Sequence, residues 1–474
     1  MAISTWLMHP ARIVATLVAI AWWGTTDAVD GDIDASFGTN GVALVGVADA
    51  PALAGLVMQG DGKVVVCGAY SGGVSQTQDF ILARFTSEGG LDSIFGEGGQ
   101  VTIDFAGGGE ATYEDQCTAL AIQPDGKIIA AGSSRIFIGP GLWYAFSVAR
   151  IDAGGMPDAS FGDEDGKAFA FLPDALISGA QATAVALQHD GKIVVGGNRW
   201  GGTDPVVGNA MALARFNADG SLDPGFGQGG QLVIDFGGYD AYAFDLDVDA
   251  QGRIVVSGSR SSDMGTDMAV VRRLPDGSPD PSFGSGGKVV IALDHGGPDG
   301  TNVDAAVALE LQGDGRIVLA GFADSAGSVP DDRRSDMIVA RLMSNGELDT
   351  GFGDEGISVL ATPTLPEGVD WATAVRQQGD GKLIVAGVVR SATDATLIAR
   401  MQTDGSLDAS FGDGGIVMPR FDLTVPDHSR PTALAFQGDQ IIVAGTVEVP
   451  SGTDHFAARF RNSIGESIFS DGFE

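Results

Sequence analysis

The sequence predicts an all-β fold built from repeated four-stranded sheets, and three observations lead to this fold class. Glycine accounts for 72 of the 474 residues, about twice its usual share and without the period of collagen, which is typical of a turn-rich chain. Hydrophobic residues make up 44 % of the chain and the mean hydropathy is +0.14, which excludes wholesale disorder. The third observation is a short motif, Asp-x-x-Phe-Gly, that recurs along the whole chain.

This motif marks seven copies of one repeat. Successive copies start 57 to 69 residues apart, and each is followed by the same succession of four apolar runs. Runs of five to seven residues have the length of strands rather than helices. The copies of the motif lie at residues 34–38, 92–96, 158–162, 223–227, 280–284, 349–353 and 408–412.

The links between the runs indicate how the strands pair. Asp-Gly joins the second and third runs in most copies, as at Asp61-Gly62, and it is a strong hairpin signal because a type I′ turn needs positive φ at both central residues. The third run, for example residues 64–66, is almost entirely β-branched or aliphatic, as expected of a strand that is buried on both faces. Sheets that each pack between two others form a ring, so we predict a single seven-bladed β-propeller of four-stranded antiparallel blades over residues 32–462.

Two features should hold this ring together. We expect residues 41–45 to complete the last sheet, because an open ring leaves two bare sheet edges. An arginine ends the fourth run of every copy, and in six copies the aspartate of the next motif follows within about ten residues, so we predict ion pairs that fix the links between sheets. The motif phenylalanines should fill the core between sheets. The arginines are Arg84, Arg150, Arg215, Arg272, Arg341, Arg400 and Arg459.

The repeat also resembles a known family. The patterns D-x-S-F-G-x-x-G, A-L-x-x-Q-x-D-G-K-I-V-V-A-G and L-A-R-F-x-x-D-G-S-L-D are similar to the delta-60 repeat, and residues 119–132 and 213–227 match them closely. The resemblance covers residues 32–462 and departs from the pattern at Arg253 and at Asp439-Gln440. It implies a propeller-type fold and an exported bacterial protein, and it implies no activity.

The first 28 residues are interpreted as a secretory signal peptide. Arg12 precedes the apolar run at residues 13–23, which is too short to span a bilayer but fits a signal, and the small residues Thr26 and Ala28 suit cleavage after Ala28. An uncleaved membrane anchor is the less favoured alternative. We therefore expect a secreted, periplasmic or cell-surface protein. The C-terminal tail, residues 463–474, is interpreted either as a sorting signal or as an incomplete further copy of the connector.

Charge and motif searches narrow the functional classes. A net charge of −35 argues against nucleic acid or an anionic membrane surface as a partner. No nucleophile elbow, zinc-protease motif or P-loop occurs, so we expect no catalytic residue, no metal and no cofactor. Asp30-x-Asp32-x-Asp34 imitates the start of a calcium loop but lacks its glycine and distal glutamate.

The two cysteines, Cys67 and Cys117, leave two alternatives open. An exported chain can hold a disulfide, but one pair is not a disulfide framework. Two buried free thiols are slightly favoured over a bridge.

Variable loops indicate where a ligand would bind. The links between the first and second strands and between the third and fourth strands of each copy vary in length, as at residues 294–304. In an antiparallel meander these links gather on one edge of the ring, here called the variable-loop face, and such insertions often mark a binding face. All tyrosines and all tryptophans after the signal lie in or beside these links. The candidate ligand-binding residues are Trp143, Tyr144, Trp200, Tyr239, Tyr242 and Trp371.

Two functional hypotheses follow. The first is a non-catalytic exported or surface-attached binding scaffold that presents the variable-loop face to a protein or glycan, since Tyr and Trp are common interface anchors. The aromatic residues could equally cap the ends of strands. The alternative is a propeller-type polysaccharide hydrolase or lyase that uses loop carboxylates. An enzyme would need carboxylates that converge near the central channel with shifted pKa values, whereas a neutral, aromatic channel would exclude it.

Overall fold

The computed structural model describes fifteen stretches of the chain. Much of the variable links, including residues 294–301, lies outside them, and so do the predicted signal peptide (residues 1–28) and residues 464–474 of the predicted tail. The described stretches are 29–46, 53–71, 78–105, 114–138, 141–163, 165–172, 179–200, 208–263, 265–293, 302–325, 334–360, 369–390, 393–421, 428–449 and 452–463.

All regular secondary structure in these stretches is β-strand, which confirms the predicted all-β class. None of the described residues forms a helix that is long and apolar enough to cross a membrane. The strands are β1 (Val42–Val45), β2 (Leu53–Met58), β3 (Val64–Ser71), β4 (Gln78–Phe85), β5 (Gln100–Ile103), β6 (Gln116–Ile122), β7 (Ile128–Ile138), β8 (Gly141–Ile151), β9 (Lys167–Ala170), β10 (Gly179–Leu187), β11 (Ile193–Trp200), β12 (Ala210–Phe216), β13 (Gln231–Ile234), β14 (Ala241–Val248), β15 (Ile254–Ser262), β16 (Gly265–Arg273), β17 (Lys288–Ile291), β18 (Asn302–Val303), β19 (Ala305–Leu311), β20 (Ile317–Ser325), β21 (Arg334–Leu342), β22 (Ile357–Leu360), β23 (Val369–Gln377), β24 (Leu383–Arg390), β25 (Asp394–Met401), β26 (Ile416–Val417), β27 (Ser429–Gln437), β28 (Gln440–Val449) and β29 (Gly452–Phe460).

Consecutive strands pair as antiparallel meanders. Strands β2–β5, β6–β9 and β10–β13 form four-stranded sheets, and β14–β17 form a fourth to which β18 adds a short parallel pairing. Strands β19–β22 and β23–β26 are two further antiparallel runs, which a single parallel pair, Ser335 with Val369, joins into one eight-stranded sheet. Hairpin turns join the second and third strands where they were predicted, with glycines such as Gly62 and Gly126 at positive φ. The turns are not of the predicted type I′, because the aspartates before these glycines are not at positive φ. Instead the glycine N–H donates to the carbonyl three residues earlier, as from Gly62 to Gln59 at 2.9 Å.

The last sheet joins the two ends of the described chain. Strand β1 pairs with β29 from Val42 opposite Ala458 to Val45 opposite His455, and the sheet order is β1, β29, β28, β27. The prediction that residues 41–45 complete the last sheet is therefore confirmed. A strand from the beginning of the described chain therefore forms the fourth strand of a sheet whose other three strands come from its end.

The sheets surround a common centre. The second strand of each repeat is innermost, and the inner strands β2, β6, β10, β14, β19, β23 and β27 contact one another in cyclic order, with β27 against β2. The hydrophobic core is divided into clusters that each combine residues of two neighbouring four-stranded runs. One of these clusters packs β19–β22 against β23–β26, so the two halves of the eight-stranded sheet also meet face to face.

The once-per-repeat arginines are structural, as predicted. Each donates from Nε to the motif aspartate at 2.7–2.8 Å, from Arg84 with Asp92 to Arg459 with Asp34. Each guanidinium also lies 4.4–5.0 Å from the ring centre of a motif phenylalanine. These phenylalanines are fully buried, as expected for residues that fill the core between sheets.

The aspartates near the start of the described chain serve the same purpose. Asp34 accepts from Arg459 at 2.7 Å and Asp30 accepts from Arg400 at 2.7 Å. Their carboxylates are thus ion-paired within the ring junction, and the calcium-loop interpretation of this stretch is not needed to explain them.

Cys67 and Cys117 form a disulfide between neighbouring sheets. Cys67 lies on β3 and Cys117 on β6, and their Cα atoms are 5.8 Å apart, within the range that a disulfide requires. The slightly favoured expectation of two free thiols was wrong. Its error has a physical reason: the register of one sheet against the next, which brings the two residues together, is set by packing between sheets and is invisible in the strand pattern.

Candidate functional site

The inner strands enclose a central cavity of about 650 Å³. It is lined by residues of all the innermost strands, and most of these are Ala, Thr, Leu or Val. Four charged side chains interrupt this lining on three adjacent strands: Asp245 and Asp247 on β14, Glu310 on β19 and Arg376 on β23. We call these four residues the channel cluster.

Three members of the channel cluster occupy one equivalent position in successive repeats. Asp247, Glu310 and Arg376 each pair with the second residue of the following strand. The same position holds Ala121 in β6 and Ala186 in β10. Because each inner strand leads into a hairpin turn, the cluster lies toward the edge of the ring that carries those turns, here called the hairpin-turn face, opposite the variable loops.

Hydrogen bonds from the cluster connect neighbouring inner strands. Asp245 accepts from the backbone N–H of Leu309 on β19 at 3.0 Å. In the same way, Glu310 accepts from the backbone N–H of Gln377 on β23 at 3.1 Å. The second carboxyl oxygen of Glu310 lies 3.6 Å from a guanidinium nitrogen of Arg376. The cluster therefore connects three adjacent inner strands, β14, β19 and β23, at the wall of the cavity.

Burial makes the carboxyl groups of the cluster unusually weak acids. It raises the pKa of Glu310 to about 7, although the nearby charge of Arg376 opposes the shift. Burial also raises the pKa of Asp245 and that of Asp247, and the negative charge of Asp245 adds to the shift at Asp247. A carboxyl group that titrates near neutrality can donate or accept a proton, and Arg376, with 43 % of its side chain exposed, can contact a polar ligand.

The raised pKa of Glu310 predicts a pH-dependent contribution to stability. Between the ordinary value of 4.5 and about 7 only the folded chain keeps this proton, so ionisation of Glu310 should lower the free energy of unfolding as the pH rises through this window. The Glu310→Gln variant keeps the acceptor for Gln377 but stays neutral. Its melting temperature should exceed that of the wild type near pH 8 and match it near pH 5.

The matched control for this experiment is Glu97→Gln, since Glu97 is exposed and should change neither value. Equal effects of Glu310→Gln at both pH values would contradict the assigned ionisation.

The six aromatic candidates lie near the variable-loop ends of their strands. Most of them contact a neighbouring side chain or the backbone of the adjacent strand. Tyr239 is 38 % exposed, and the other five are partly buried. Three rings lie under an arginine: Tyr239 under Arg260 at 4.4 Å, Trp371 under Arg390 at 4.8 Å and Tyr144 under Arg135 at 5.3 Å.

The remaining candidates pack more closely against the strands. Asn209 donates to the hydroxyl of Tyr242 at 2.6 Å, and Trp200 lies against Gly179, where an added Cβ would come within 2.8 Å of its ring. Trp143 follows Leu142 on β8 and adjoins Tyr144. Trp143 and Tyr144 are consecutive residues of β8, so their side chains point to opposite faces of the strand, and Trp200 and Trp371 lie on other strands. Whether all six form one recognition surface stays a prediction.

The channel cluster was missed by the sequence analysis, although a signal for it exists. The repeat pattern is defined by what the copies share, whereas the cluster lies where three copies depart from the others. Aligning the copies on the bulge in each inner strand shows acidic or basic residues in three copies, at a position that is alanine in β6, β10 and β27 and valine in β2. A charge at a cavity-facing position is informative because burying it is costly.

Antiparallel meanders arranged around a central cavity define a β-propeller, and the sequence comparison agrees. Six segments match the model of a β-propeller domain of unknown function, DUF5122, at residues 59–95, 123–161, 188–226, 251–283, 312–352 and 378–411. These matches support an uncharacterised β-propeller repeat family. A comparison with curated proteins finds no match.

Solved structures similar to this chain include two polysaccharide lyases and a protease domain. The polysaccharide lyase Uly1 is 11 % identical with a TM-score of 0.48, over 92 % of this chain and 98 % of that one. A PL25 ulvan lyase bound to a -[GlcA(1-4)Rha3S]- ligand is 12 % identical with a TM-score of 0.45, over 90 % of this chain and 94 % of that one. The β-propeller domain of the Trilobed protease from Pyrococcus furiosus is 10 % identical with a TM-score of 0.40, over 90 % and 99 %.

Proposed function

We propose that this chain is an exported, non-catalytic β-propeller of seven blades that binds a protein or glycan ligand on its variable-loop face. Two observations support seven blades. Seven inner strands contact one another in a closed cycle, and the eight-stranded sheet is joined by only one parallel residue pair, so it counts as two blades.

Export is supported by the leader and by the disulfide. A structural disulfide between buried cysteines is typical of oxidising compartments outside the cytosol, and both Cys67 and Cys117 are buried. The apolar run at residues 13–23 fits a cleavable signal. The resemblance to the delta-60 repeat and the secreted, periplasmic or cell-surface location belong to this proposal.

The observation that carries the binding function is the set of arginine-stacked aromatic rings near the variable loops. The clearest case surrounds Trp371: the guanidinium of Arg390 lies over its ring, and Arg390 also pairs with Asp394 at 2.6 Å. Arg430 pairs with the same carboxylate. Tyr, Trp and Arg are the residue types that dominate binding hot spots, and here they are held in place by one another before any ligand arrives.

A binding screen with the mature chain tests this proposal. We expect a ligand among secreted proteins or glycans, and we expect Trp371→Ala and Tyr239→Ala each to weaken its binding by about 2 kcal/mol, roughly 30-fold. The matched control is Ile94→Ala, because Ile94 is 74 % exposed but lies in the motif link at the hairpin-turn face. Full binding by both aromatic variants, with unchanged melting temperatures, would exclude these rings as the binding site.

The channel cluster favours a second candidate, a polysaccharide hydrolase or lyase. Its carboxylates lie on inner strands rather than on the loops that we expected, yet they converge at the central cavity and have raised pKa values, as acid–base residues often do. The same screen distinguishes the binding scaffold from the enzyme if the samples with polysaccharides are also assayed for newly formed chain ends, which are the product of cleavage. Product formation that Glu310→Gln abolishes would favour the enzyme over the binding scaffold.

A further inference from the structure

Three carboxylates meet at a seam between two neighbouring sheets on the variable-loop face. Asp79 is the second residue of β4, Asp104 follows β5, and Asp115 precedes β6. Each offers one oxygen, and these oxygens all lie within 4.8 Å of one another. Strands β4 and β5 belong to one sheet and β6 to the next, so the group spans the seam.

Asp115 is the most deeply placed of the three. Its side chain is fully buried, and one carboxyl oxygen accepts from the backbone N–H of Phe105 at 2.9 Å. Its own backbone N–H donates to the carbonyl of Gln78 at 2.8 Å. These bonds hold the carboxyl group in place at the seam, with its other oxygen, Oδ1, directed away from the Phe105 bond.

Two buried polar atoms at this point lack partners among the described residues. One is Oδ1 of Asp115, and the other is the hydroxyl oxygen of Ser134, which is fully buried. This hydroxyl lies close enough to the Asp115 carboxyl group to lower its pKa, but no hydrogen bond of acceptable geometry joins the two atoms. A buried polar group without a hydrogen bond is costly. Since the Ser134 hydroxyl is not one of the three carboxylates, it is an independent indication that a ligand atom belongs here.

The equivalent aspartate of another repeat shows what a satisfied group looks like. Asp304 precedes β19 as Asp115 precedes β6, and it is also fully buried. Both of its oxygens accept from backbone N–H groups, of Leu293 at 3.0 Å and of Asp324 at 3.3 Å. At Asp115 the first of these bonds is kept and the second has no counterpart in the described part of the chain.

We propose that Asp79, Asp104 and Asp115, with the Ser134 hydroxyl, bind a calcium ion that links the two sheets. Calcium takes six to eight oxygen ligands at about 2.4 Å, so oxygens that lie within 4.8 Å of one another can share a single ion. Carboxylate and hydroxyl oxygens are hard ligands of the kind that it prefers, and water completes its coordination. The site is independent of the proposed ligand-binding function.

The charges at the seam agree with a cation there. Burial raises the pKa of Asp115 to about 6. Burial and the charge of Asp104 together raise the pKa of Asp79. Asp115 is buried and Asp79 and Asp104 are partly buried, so a divalent ion would stabilise three carboxylates that otherwise repel one another, and it should bind more tightly as they ionise.

Calorimetric titration and thermal unfolding of the chelator-treated mature protein test the site. We expect one calcium ion to bind with a dissociation constant of about 10⁻⁴ M or lower and to raise the melting temperature. Asp79→Asn should weaken calcium binding at least tenfold and remove the thermal shift. Asp115→Asn should have the same effect. If the Asp115→Asn variant fails to fold because Asp115 is buried, the Asp79→Asn variant still tests the site.

The chain offers a matched control for Asp79→Asn. Asp454 in β29 is equivalent to Asp79 in β4: Asp454 pairs with Val447 and Asp79 pairs with Tyr70. Among the described residues, Asp454 belongs to no such carboxylate group. Asp454→Asn should bind calcium as the wild type does. No binding at millimolar calcium, tighter binding of magnesium, or unchanged affinity in folded Asp79→Asn would overturn the proposal.

Discussion

Replacing Arg400 by alanine should lower the free energy of unfolding by about 3–5 kcal/mol, because it breaks a buried ion-pair network. Asp408 keeps only the pair with Lys382 at 2.9 Å, and Asp30 loses its ionic partner among the described residues. The side chain of Arg400 is almost fully buried. Its guanidinium pairs with Asp408 at 2.7 Å and with Asp30 at 2.7 Å, and it also donates to Asn462 at 2.9 Å. Of the seven equivalent arginines, it is the one described as pairing with two carboxylates.

The position of these partners makes the effect large. Asp30 lies at the beginning of the described chain and Asn462 near its end, so Arg400 connects both ends of the described chain to the run of strands β23–β26. Chemical denaturation measures the loss. The matched control is Arg461→Ala at the same junction, where the arginine is exposed and its removal should cost less than about 0.5 kcal/mol. Similar losses in the two variants would contradict the role assigned to the buried pairing.

Removing the disulfide should have the second largest effect, about 4 kcal/mol. Cys67 and Cys117 are 50 residues apart in sequence, and crosslinking a loop of this length restricts the unfolded chain by about that amount. The double variant Cys67→Ala/Cys117→Ala should unfold at correspondingly lower denaturant concentration.

The wild type under reducing conditions is the control for the disulfide. It should approach the stability of the double variant, whereas the variant itself should not respond to the reductant. Detection of two free thiols in the denatured, unreduced wild type would refute the bridge.

The repeat made much of the fold predictable from the sequence. The Asp-Gly turns, the arginine–aspartate pairs and the closing strand at residues 41–45 all depend on local patterns or on spacing within a repeat, and the structure has each of them. Such features are repeated several times along the chain, so each copy supports the interpretation of the others.

The features that escaped prediction arise between repeats. The disulfide joins β3 to β6, and the carboxylates of the seam come from the ends of three strands in two sheets. Their proximity depends on how far one sheet is displaced relative to the next, which packing of buried side chains determines. The channel cluster required knowing which alternate residues of an inner strand face the cavity. The arginines that lie over three of the six aromatic candidates were not predicted either, because they are 9 to 21 residues away in sequence.

The closing pair of strands has a consequence for how the protein would be oriented when tethered. The backbone of Gly31 donates to that of Arg461 at 2.8 Å, and Ser463 donates to Asp30 at 2.8 Å, so the first and last described residues leave the ring side by side. Both leave beyond the end of β29, where Phe460 pairs with Ile441 next to the hairpin turn. A linker at either terminus would therefore hold the hairpin-turn face toward its support. The variable-loop face would then point away from the support and stay accessible to ligands in solution.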